Sequence, residues 1–176
     1  GLKGRKTVNE PLAPGFLHVF PPTCYRCPFG KNYPDCGITC ATLAGSVIEM
    51  EDPETVAAIM VEPIGHTGGI IDPPPEYLPI LREVCDRYGV LLVSDEVICA
   101  FGRLGAMFGS ERLGYQPDMI TMAKGLTNGA VPMGAVAASD QIHDTFMQGP
   151  EGAIELFHGY TYSAHPVACA AGIATQ

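Results

Sequence analysis

Residues 90–126 read VLLVSDEVICAFGRLGAMFGSERLGYQPDMITMAKGL, and two short apolar runs in this stretch are each followed by a charged side chain. The first run, 90–93, is followed by Asp95, and the second, 119–123, by Lys124. Continuous apolar runs of this length are typical of strands that are buried on both faces of a parallel sheet. The stretch therefore predicts two buried strands, one ending in an acid and the other in a lone lysine.

A third apolar run lies upstream and completes a strand–helix–strand unit. Residues 56–61 are continuously apolar and are followed by Glu62, which again predicts a strand buried on both faces. Residues 76–88 predict a helix with one apolar face, and Gly89 is a typical stop signal. A strand, a helix and a strand within some forty residues indicate a βαβ unit, so the strands should run parallel.

Three ionisable side chains then fall at corresponding places in the predicted sheet. Glu62, Asp95 and Lys124 each follow the carboxyl end of a strand. Ligands of open α/β sheets bind outside those ends. The pattern predicts a ligand site at this edge of the sheet.

The remaining patterns predict an α/β fold with a mostly parallel sheet and flanking helices. Residues 1–40 are rich in Pro, Gly and Cys and predict an irregular segment, whereas 41–176 carry the regular elements. Further elements are predicted as a helix at 39–50, a strand of open direction at 134–138, a short helix at 143–148 and a last helix from Pro166.

Composition narrows the classes of partner. The 176 residues are 47% hydrophobic, which predicts a globular domain with a core of its own. Ten basic against nineteen acidic residues give a net charge of −9, which argues against nucleic acid or an anionic membrane as partner. No apolar run has the length of a membrane span and no signal-peptide pattern opens the chain, so the predicted location is cytoplasmic.

The cysteines leave two interpretations open. Four of the seven cluster in CYRCPFGKNYPDCGITC with C-x2-C and C-x3-C spacing, namely Cys24, Cys27, Cys36 and Cys40. Such spacing suits a metal or redox module. The odd total and three isolated cysteines in apolar surroundings favour free thiols, so we predict no metal and keep the module as a competing hypothesis.

A lysine at the end of a buried strand suggests covalent chemistry. Burial and cationic neighbours can lower the pKa of such an amine, which then forms Schiff bases with carbonyl compounds. Pyridoxal phosphate is an aldehyde held in this way, and it also needs a carboxylate beside its pyridine nitrogen. Lys124 and Asp95 supply that pair.

These residues resemble the core signature of class III aminotransferases, the ω-amino acid:pyruvate and 4-aminobutyrate type of fold-type I pyridoxal-phosphate enzymes. The stretch 90–126 carries the DEV…GR…G…F…PD…AKG spacing, and MVEPIGHTGGIIDPPPEYLPILREVCDRYG is similar to the preceding family stretch. Downstream, GAVPMGAVAASDQI and HGYTYSAHPVACAAG are similar as well. The resemblance covers nearly the whole chain from about Phe16.

The resemblance implies a role for each of five residues. Lys124 matches the lysine that forms the Schiff base with the cofactor and then shuttles the proton. Asp95 matches the carboxylate on the pyridine nitrogen, and Val97, on the same side of an extended chain, the apolar residue against the ring face. Thr161 matches a threonine that reaches the cofactor phosphate of the neighbouring subunit, which implies a homodimer. Glu62 matches a glutamate on the substrate side.

The implied reaction moves an amino group from an amine or ω-amino acid to a keto acid in two half-reactions. Some members of the family use the same lysine and aspartate for elimination, decarboxylation or epimerisation, so these outcomes stay open. A nucleotide-binding α/β domain has little support, because no G-x-G-x-x-G motif follows a strand.

The resemblance also implies that the chain is an internal piece of a longer protein, a fragment of the large domain. The family's phosphate loop would precede residue 1, and its small domain would follow Gln176. In isolation we expect weak cofactor binding or none. The chain has Gly65-His66 where many members have Gln-Gly, which leaves the donor open.

Overall fold

The computed structural model describes residues 3–153 and 156–176, and its four strands form one sheet in the order β1-β2-β3-β4. The strands are β1 (Ala58–Val61), β2 (Leu91–Asp95), β3 (Met119–Met122) and β4 (Ala135–Ala138). The helices are α1 (Lys3–Thr7), α2 (Thr39–Met50), α3 (Tyr77–Tyr88), α4 (Gly109–Leu113), α5 (Asp140–Phe146) and α6 (Pro166–Thr175). Short 3-10 turns cover Cys24–Arg26, Pro53–Thr55 and Lys124–Thr127.

The sheet is mostly parallel, as predicted. β1 pairs with β2 and β2 with β3 in parallel, and β4 pairs with β3 in the antiparallel direction that the sequence left open. In this register Val61 lies beside Ser94, and Asp95 lies beside Thr121. The prediction of an α/β fold with a mostly parallel sheet and flanking helices is confirmed.

Two helices, α2 and α3, pack on one face of the sheet and on each other. Both lie where the apolar periodicity predicted them, and α3 ends at Gly89, whose φ of +67° suits glycine. The Tyr88 hydroxyl donates a hydrogen bond to Glu49 and so joins the two helices. Arg82 of α3 pairs with Asp118, whose Oδ2 also accepts from the Leu92 N–H at 2.7 Å. The helix layer is thereby tied to the strands that carry the predicted site.

The core lies between this helix layer and the sheet. Its largest fully buried apolar side chains are Leu78 and Leu81 of α3 and Leu92 of β2. Burying each leucine contributes about 2 kcal/mol. Further members of the core come from α2 and its N-cap, from α3 and from residues near β2, namely Ile38, Ala41, Ala44, Ile48, Tyr77, Val84, Cys85, Val90 and Tyr115.

In the described part of the chain the opposite face of the sheet is exposed at β1 and β4, although Val93 of β2 is buried, and this corrects one prediction. The run 56–61 was predicted to be buried on both faces, but β1 alternates between exposed and half-buried residues, and Met60 is 57% exposed. Val136 of β4 is 66% exposed. β1 and β4 are the outer strands, and the helix layer covers only one face of β1.

Several short elements differ from the sequence-based expectations. α5 spans 140–146 rather than 143–148, while α6 begins at Pro166 as predicted. The pattern did not reveal α1, α4 or the turn at Lys124–Thr127. The division into 1–40 and 41–176 stays a prediction. Among the described helices, none is long and apolar enough to cross a membrane.

Candidate active site at the carboxyl edge of the sheet

The three predicted ionisable residues follow three neighbouring parallel strands. Glu62 comes directly after β1, Asp95 is the last residue of β2, and Lys124 follows β3 after Ala123. Since parallel strands end at the same edge of a sheet, all three residues lie along the carboxyl edge of β1, β2 and β3.

Asp95 is held by two hydrogen bonds on one of its carboxylate oxygens. Oδ1 accepts from the Val97 N–H and from the Thr121 hydroxyl, each at 3.2 Å. Thr121 can reach it because the two residues are register partners on β2 and β3. Within residues 3–153 and 156–176 no hydrogen-bond donor reaches Oδ2. The carboxylate is therefore oriented through one oxygen and has the other available for a ligand.

Val97 lies close to Asp95 but not on an extended chain. β2 ends at Asp95 and residues 97–100 form a turn, so the extended geometry expected from the sequence is not observed. The turn is closed by the Val97 N–H on the Asp95 carboxylate, a local bond typical of aspartate. Val97 itself is half-buried.

Glu96 is a fully buried acid whose role is not visible in the sequence. Its carboxylate accepts from the N–H groups of Gly109 and Ser110 at the start of α4 and from the Ser94 hydroxyl at 3.2 Å. The Ser94 and Tyr115 hydroxyls share a further hydrogen bond of 2.7 Å, and burial raises the pKa of Tyr115. The bonds from α4 anchor the loop of residues 97–108 to the end of β2.

Gly125, the residue after Lys124, lies against Phe101 in the loop of residues 97–108. A Cβ added at Gly125 would lie 3.0 Å from the Phe101 Cβ, tighter than nine in ten Cβ contacts in real proteins. The chain immediately after Lys124 therefore lies against the turn that follows β2, and a residue larger than glycine at position 125 would require Phe101 to shift.

Lys124 is exposed and occupies an unusual backbone conformation. Its φ is +46°, a region that side chains other than glycine rarely adopt, and it begins the 3-10 turn Lys124–Thr127. Such positions often coincide with functional sites. In the part of the chain that the structure describes, its amine forms no ion pair and no hydrogen bond.

Lys124 lines an open cavity of about 1110 Å³ at this edge of the sheet. The charged and polar side chains around the cavity are those of His66, Arg103, Lys124, Asn128, Thr175 and Gln176. The apolar lining comes mainly from Ile64, Ile70, Ile98 and the loop from Ala100 to Met107. No Asp or Glu side chain among the described residues lines the cavity, and Arg103 and Lys124 do, so the charge of its side chains suits an anionic ligand.

Glu62 is connected to this cavity through His66. Its Oε2 accepts from the His66 N–H at 2.9 Å and lies 3.8 Å from the His66 Nδ1. The His66 side chain is mostly buried and lines the cavity with Lys124. The sequence singled out His66 as a departure from the family pattern, and its place in the lining is new from the structure.

Of the five predicted residues, Lys124 is the one in the described lining of this cavity. Glu62, Asp95 and Val97 lie at or next to the neighbouring strand ends, whereas Thr161 lies in a separate loop. Thr161 is exposed, it begins the turn 161–164, and it is absent from the described lining of the Lys124 cavity. The turn is closed locally by the Tyr160 N–H on the Ser163 hydroxyl at 2.9 Å. The role of Thr161 towards a neighbouring subunit stays a prediction.

The clustered cysteines form a separate feature. All of them are free thiols, and the four members of CYRCPFGKNYPDCGITC line one small cavity. Among the described residues, no group of three or more His, Cys, Asp or Glu side chains is arranged to hold a metal ion. The competing hypothesis of a metal-binding module gains no support.

Comparison with known proteins identifies the family. The family model of class III aminotransferases matches residues 3–175. A probable aminotransferase of Mycobacterium tuberculosis is 49% identical over 174 residues, which are 99% of this chain and 37% of that protein. The omega-aminotransferase of Caulobacter vibrioides is 53% identical over 145 residues, which are 82% of this chain and 33% of that protein.

Solved structures agree with this similarity. A transaminase from a directed-evolution study by ancestral reconstruction superposes with a TM-score of 0.91 at 38% identity, covering 99% of this chain and 38% of that one. A thermostable (S)-enantioselective omega-transaminase from Thermomicrobium roseum gives a TM-score of 0.87 at 41% identity, covering 94% and 36%. The chain thus spans little more than a third of the length of the relatives it matches. This chain belongs to the class III aminotransferase family.

Proposed function

We propose that the protein is a pyridoxal-phosphate-dependent aminotransferase that moves an amino group from an amine or ω-amino acid to a keto acid. The observation that carries this proposal is the Asp95 carboxylate. It is oriented through one oxygen, with the second available, on the strand next to the one that leads to Lys124. The names of the relatives support it, among them a beta-alanine–pyruvate aminotransferase of Pseudomonas aeruginosa that is 54% identical over 140 residues.

The residues at the sheet edge fit pyridoxal phosphate. The cofactor needs an amine for its aldehyde, and the Lys124 amine lines the cavity without a partner among the described residues. It needs a carboxylate for its pyridine nitrogen, and the available oxygen of Asp95 suits that purpose. The cofactor phosphate and the keto-acid carboxylate are anionic, and the cations Arg103 and Lys124 line the cavity. Asp95 lies at the neighbouring strand end, outside the described lining. Lys124, Asp95 and Val97 would hold the cofactor here.

When bound, the cofactor supplies an electron sink for the charge that develops on the donor carbon. Asp95 would contribute by holding a proton on the ring nitrogen, because a fixed carboxylate stabilises the protonated ring. Its two hydrogen bonds keep it in one orientation at no further entropic cost during the reaction.

Lys124 would remove the proton from the carbon that bears the donor amine and return it at the end of the half-reaction. A proton carrier must reach two atoms in turn, which requires a mobile side chain. The exposed Lys124 side chain, free of partners in the described part of the chain, has that mobility. Its backbone is held close to the turn after β2 through Gly125.

The pair of Glu62 and His66 would act on the substrate side. Glu62 holds the backbone of His66, and the imidazole lines the cavity with Lys124. A donor bound there would meet the imidazole rather than the smaller residue of family members that have glycine at this position.

A homodimer is proposed as the functional unit. Thr161 lies in an exposed segment with three aromatic side chains that are 78% to 89% exposed, namely Phe157, Tyr160 and Tyr162. Exposed aromatic side chains are common in protein interfaces. A second subunit would cover this segment, and Thr161 would then reach the phosphate of the cofactor bound to that second subunit.

The first test is to trap the lysine in the full-length protein. We would add pyridoxal phosphate, reduce with borohydride and digest with trypsin. A label on Lys124 blocks cleavage there, so the peptide that starts at Leu113 should extend beyond Lys124. Lys31 is the internal control, and the Lys124→Ala protein should carry no label in this peptide. Label on other lysines only would contradict the proposal.

The second test separates transamination from other outcomes. Incubation with β-alanine and pyruvate should produce alanine from pyruvate in step with loss of the donor. Loss of the donor without transfer of its amine to a keto acid would instead indicate elimination or decarboxylation at the same lysine.

A further inference from the structure

The cysteine cluster is a second candidate site that the proposed reaction does not use. Cys24, Cys27, Cys36 and Cys40 line one cavity of about 20 Å³, which has room for about one water molecule. None of the four lines the cavity around Lys124. Four thiols line one small cavity, so we asked whether any two of them have the spacing of a disulfide bond.

Two of the four lie on a single backbone turn. Cys24 begins the 3-10 turn Cys24–Arg26, and Cys27 directly follows it. Side chains three residues apart stack on one another in a 3-10 turn, and its rise places their Cα atoms about 6 Å apart. Disulfide bonds join Cα atoms about 4.4–6.8 Å apart. The backbone therefore already has the spacing that a Cys24–Cys27 disulfide needs.

The surroundings hold this turn in place. The Cys24 N–H donates to the Pro22 carbonyl and the Gly30 N–H donates to the Cys27 carbonyl, both at 3.1 Å. Phe20 and Phe29 pack edge to face at 5.5 Å on either side of the turn in the sequence. Because these contacts fix the backbone that carries both cysteines, joining the two thiols costs little conformational entropy.

We propose that Cys24 and Cys27 form an oxidisable dithiol, a modification site that becomes a disulfide on exchange with a small-molecule disulfide such as oxidised glutathione. The exposed Cys24 thiolate attacks one sulfur of the small disulfide and releases the first small thiol. The half-buried Cys27 then attacks the Cys24 sulfur and releases the second. The protein loses two electrons and two protons, which leave on the two small thiols.

The charged and titratable groups around the cavity affect how readily this disulfide is reduced. Partial desolvation, together with the neighbouring Cys36 and Cys27 thiols, raises the pKa of the exposed Cys24 thiol. The other titratable groups that line the cavity are Cys40, Tyr33 and Lys31. A reduced form that is not stabilised as a thiolate favours the disulfide at equilibrium, so the bond should form slowly and resist reduction.

The sequence offers a direct way to map the bond. Trypsin cleaves after Arg26, between the two cysteines, and after Lys31, whereas no cleavage site lies between 32 and 81. A Cys24–Cys27 disulfide therefore joins peptides 7–26 and 27–31. A bond from Cys24 to Cys36 or Cys40 would instead join 7–26 to 32–82. A Cys36–Cys40 bond would stay inside 32–82.

The experiment equilibrates the full-length protein in glutathione buffers of increasing oxidation, blocks remaining thiols with an alkylating reagent and digests it. We expect peptides 7–26 and 27–31 to become linked and to separate again under strong reductant. Cys24→Ser and Cys27→Ser should each abolish this link, while Cys36→Ser and Cys40→Ser, from the same cavity, should keep it.

Three results would overturn the proposal. One is the absence of any linked peptide at the most oxidising poise. Another is a link from 7–26 to 32–82 in place of the predicted one. The third is zinc at one equivalent in the purified protein that shields all four thiols from alkylation, since that would make the cluster a metal site.

Discussion

The ends of β2 and β3 hold their charged residues in opposite ways. At the end of β2, Asp95 has two donors on one oxygen, and the buried Glu96 has two backbone N–H groups and a hydroxyl. At the end of β3, Lys124 is exposed and has no partner among the described residues. The difference suits the proposed reaction, in which a carboxylate must keep one orientation while an amine must move between atoms.

The largest effect is expected from removing the mobile group. Lys124→Ala should lower the rate of amino transfer by about 10³-fold or more, because the proton carrier is lost. The free energy of unfolding should change by less than about 0.5 kcal/mol, because the side chain is exposed. Steady-state assays and urea denaturation of the full-length protein would measure the two quantities.

Lys124→Arg is the matched control for charge. A guanidinium remains protonated at neutral pH and cannot accept the proton, so this variant should lose as much activity as the alanine variant. Activity near that of the unmodified protein in either variant would mean that another group carries the proton.

The next largest effect is expected from removing Glu96, the buried acid that follows β2. Glu96→Ala removes the acceptor for the buried N–H groups of Gly109 and Ser110, which then have no partner. We expect the free energy of unfolding to fall by about 3 kcal/mol, measured by urea denaturation. Glu96→Gln keeps one acceptor oxygen and should lose less.

Asp95→Asn tests whether the two neighbouring acids differ in purpose. The amide oxygen of asparagine can still accept from the Val97 N–H and the Thr121 hydroxyl, so the free energy of unfolding should change by less than about 1 kcal/mol. Affinity for pyridoxal phosphate and activity should fall. Equal destabilisation by Asp95→Asn and Glu96→Ala would remove the distinction between them.

Most of the sheet could be predicted from the sequence because its signals are local. The apolar runs and the Gly89 stop signal located β2, β3 and α3, and their spacing indicated the parallel order. The two-face burial of β1 was wrong because an apolar run reports preference for burial, not whether a covering layer is present. The short α4 was missed because its start is stabilised by Glu96, thirteen residues away.

The site could be predicted only in part, because some of its residues are positioned by contacts between distant parts of the chain. Asp95 and Lys124 follow apolar runs and are visible in the sequence. The contribution of Thr121 depends on the register between β2 and β3, which no single stretch of sequence specifies. Glu96 looks like the second half of an acidic pair at a strand end, and only the folded chain shows that it faces inward.

The stability of the protein should depend on pH through Cys85, a buried residue of α3. Burial raises the pKa of the Cys85 thiol from its ordinary 9.0 to about 11. The folded protein therefore keeps a proton that the unfolded chain loses above about pH 9. The free energy of unfolding should fall by about 2 kcal/mol between about pH 9 and pH 11 and not below that range.

Cys85→Ala separates this contribution from the rest. Urea denaturation at about pH 8 and about pH 11 should show a smaller loss of stability in the variant than in the unmodified protein. Buried Tyr77 and Tyr115, whose pKa values are also raised by burial, leave a residual decline in both. An identical decline in the two proteins would exclude Cys85 as a source.

The smallest effect is expected at the second hydrogen bond that orients Asp95. Thr121→Val keeps the shape of the side chain but removes the hydroxyl that donates to Oδ1 at 3.2 Å. The loss of one hydrogen bond to a half-buried carboxylate is worth about 1 kcal/mol, so pyridoxal phosphate should bind about fivefold more weakly. Thr121→Ser, which retains the hydroxyl, should bind it normally. If both variants bind the cofactor equally well, the Val97 N–H alone orients Asp95. The orientation of this carboxylate would then depend on the turn after β2 and not on the neighbouring strand β3.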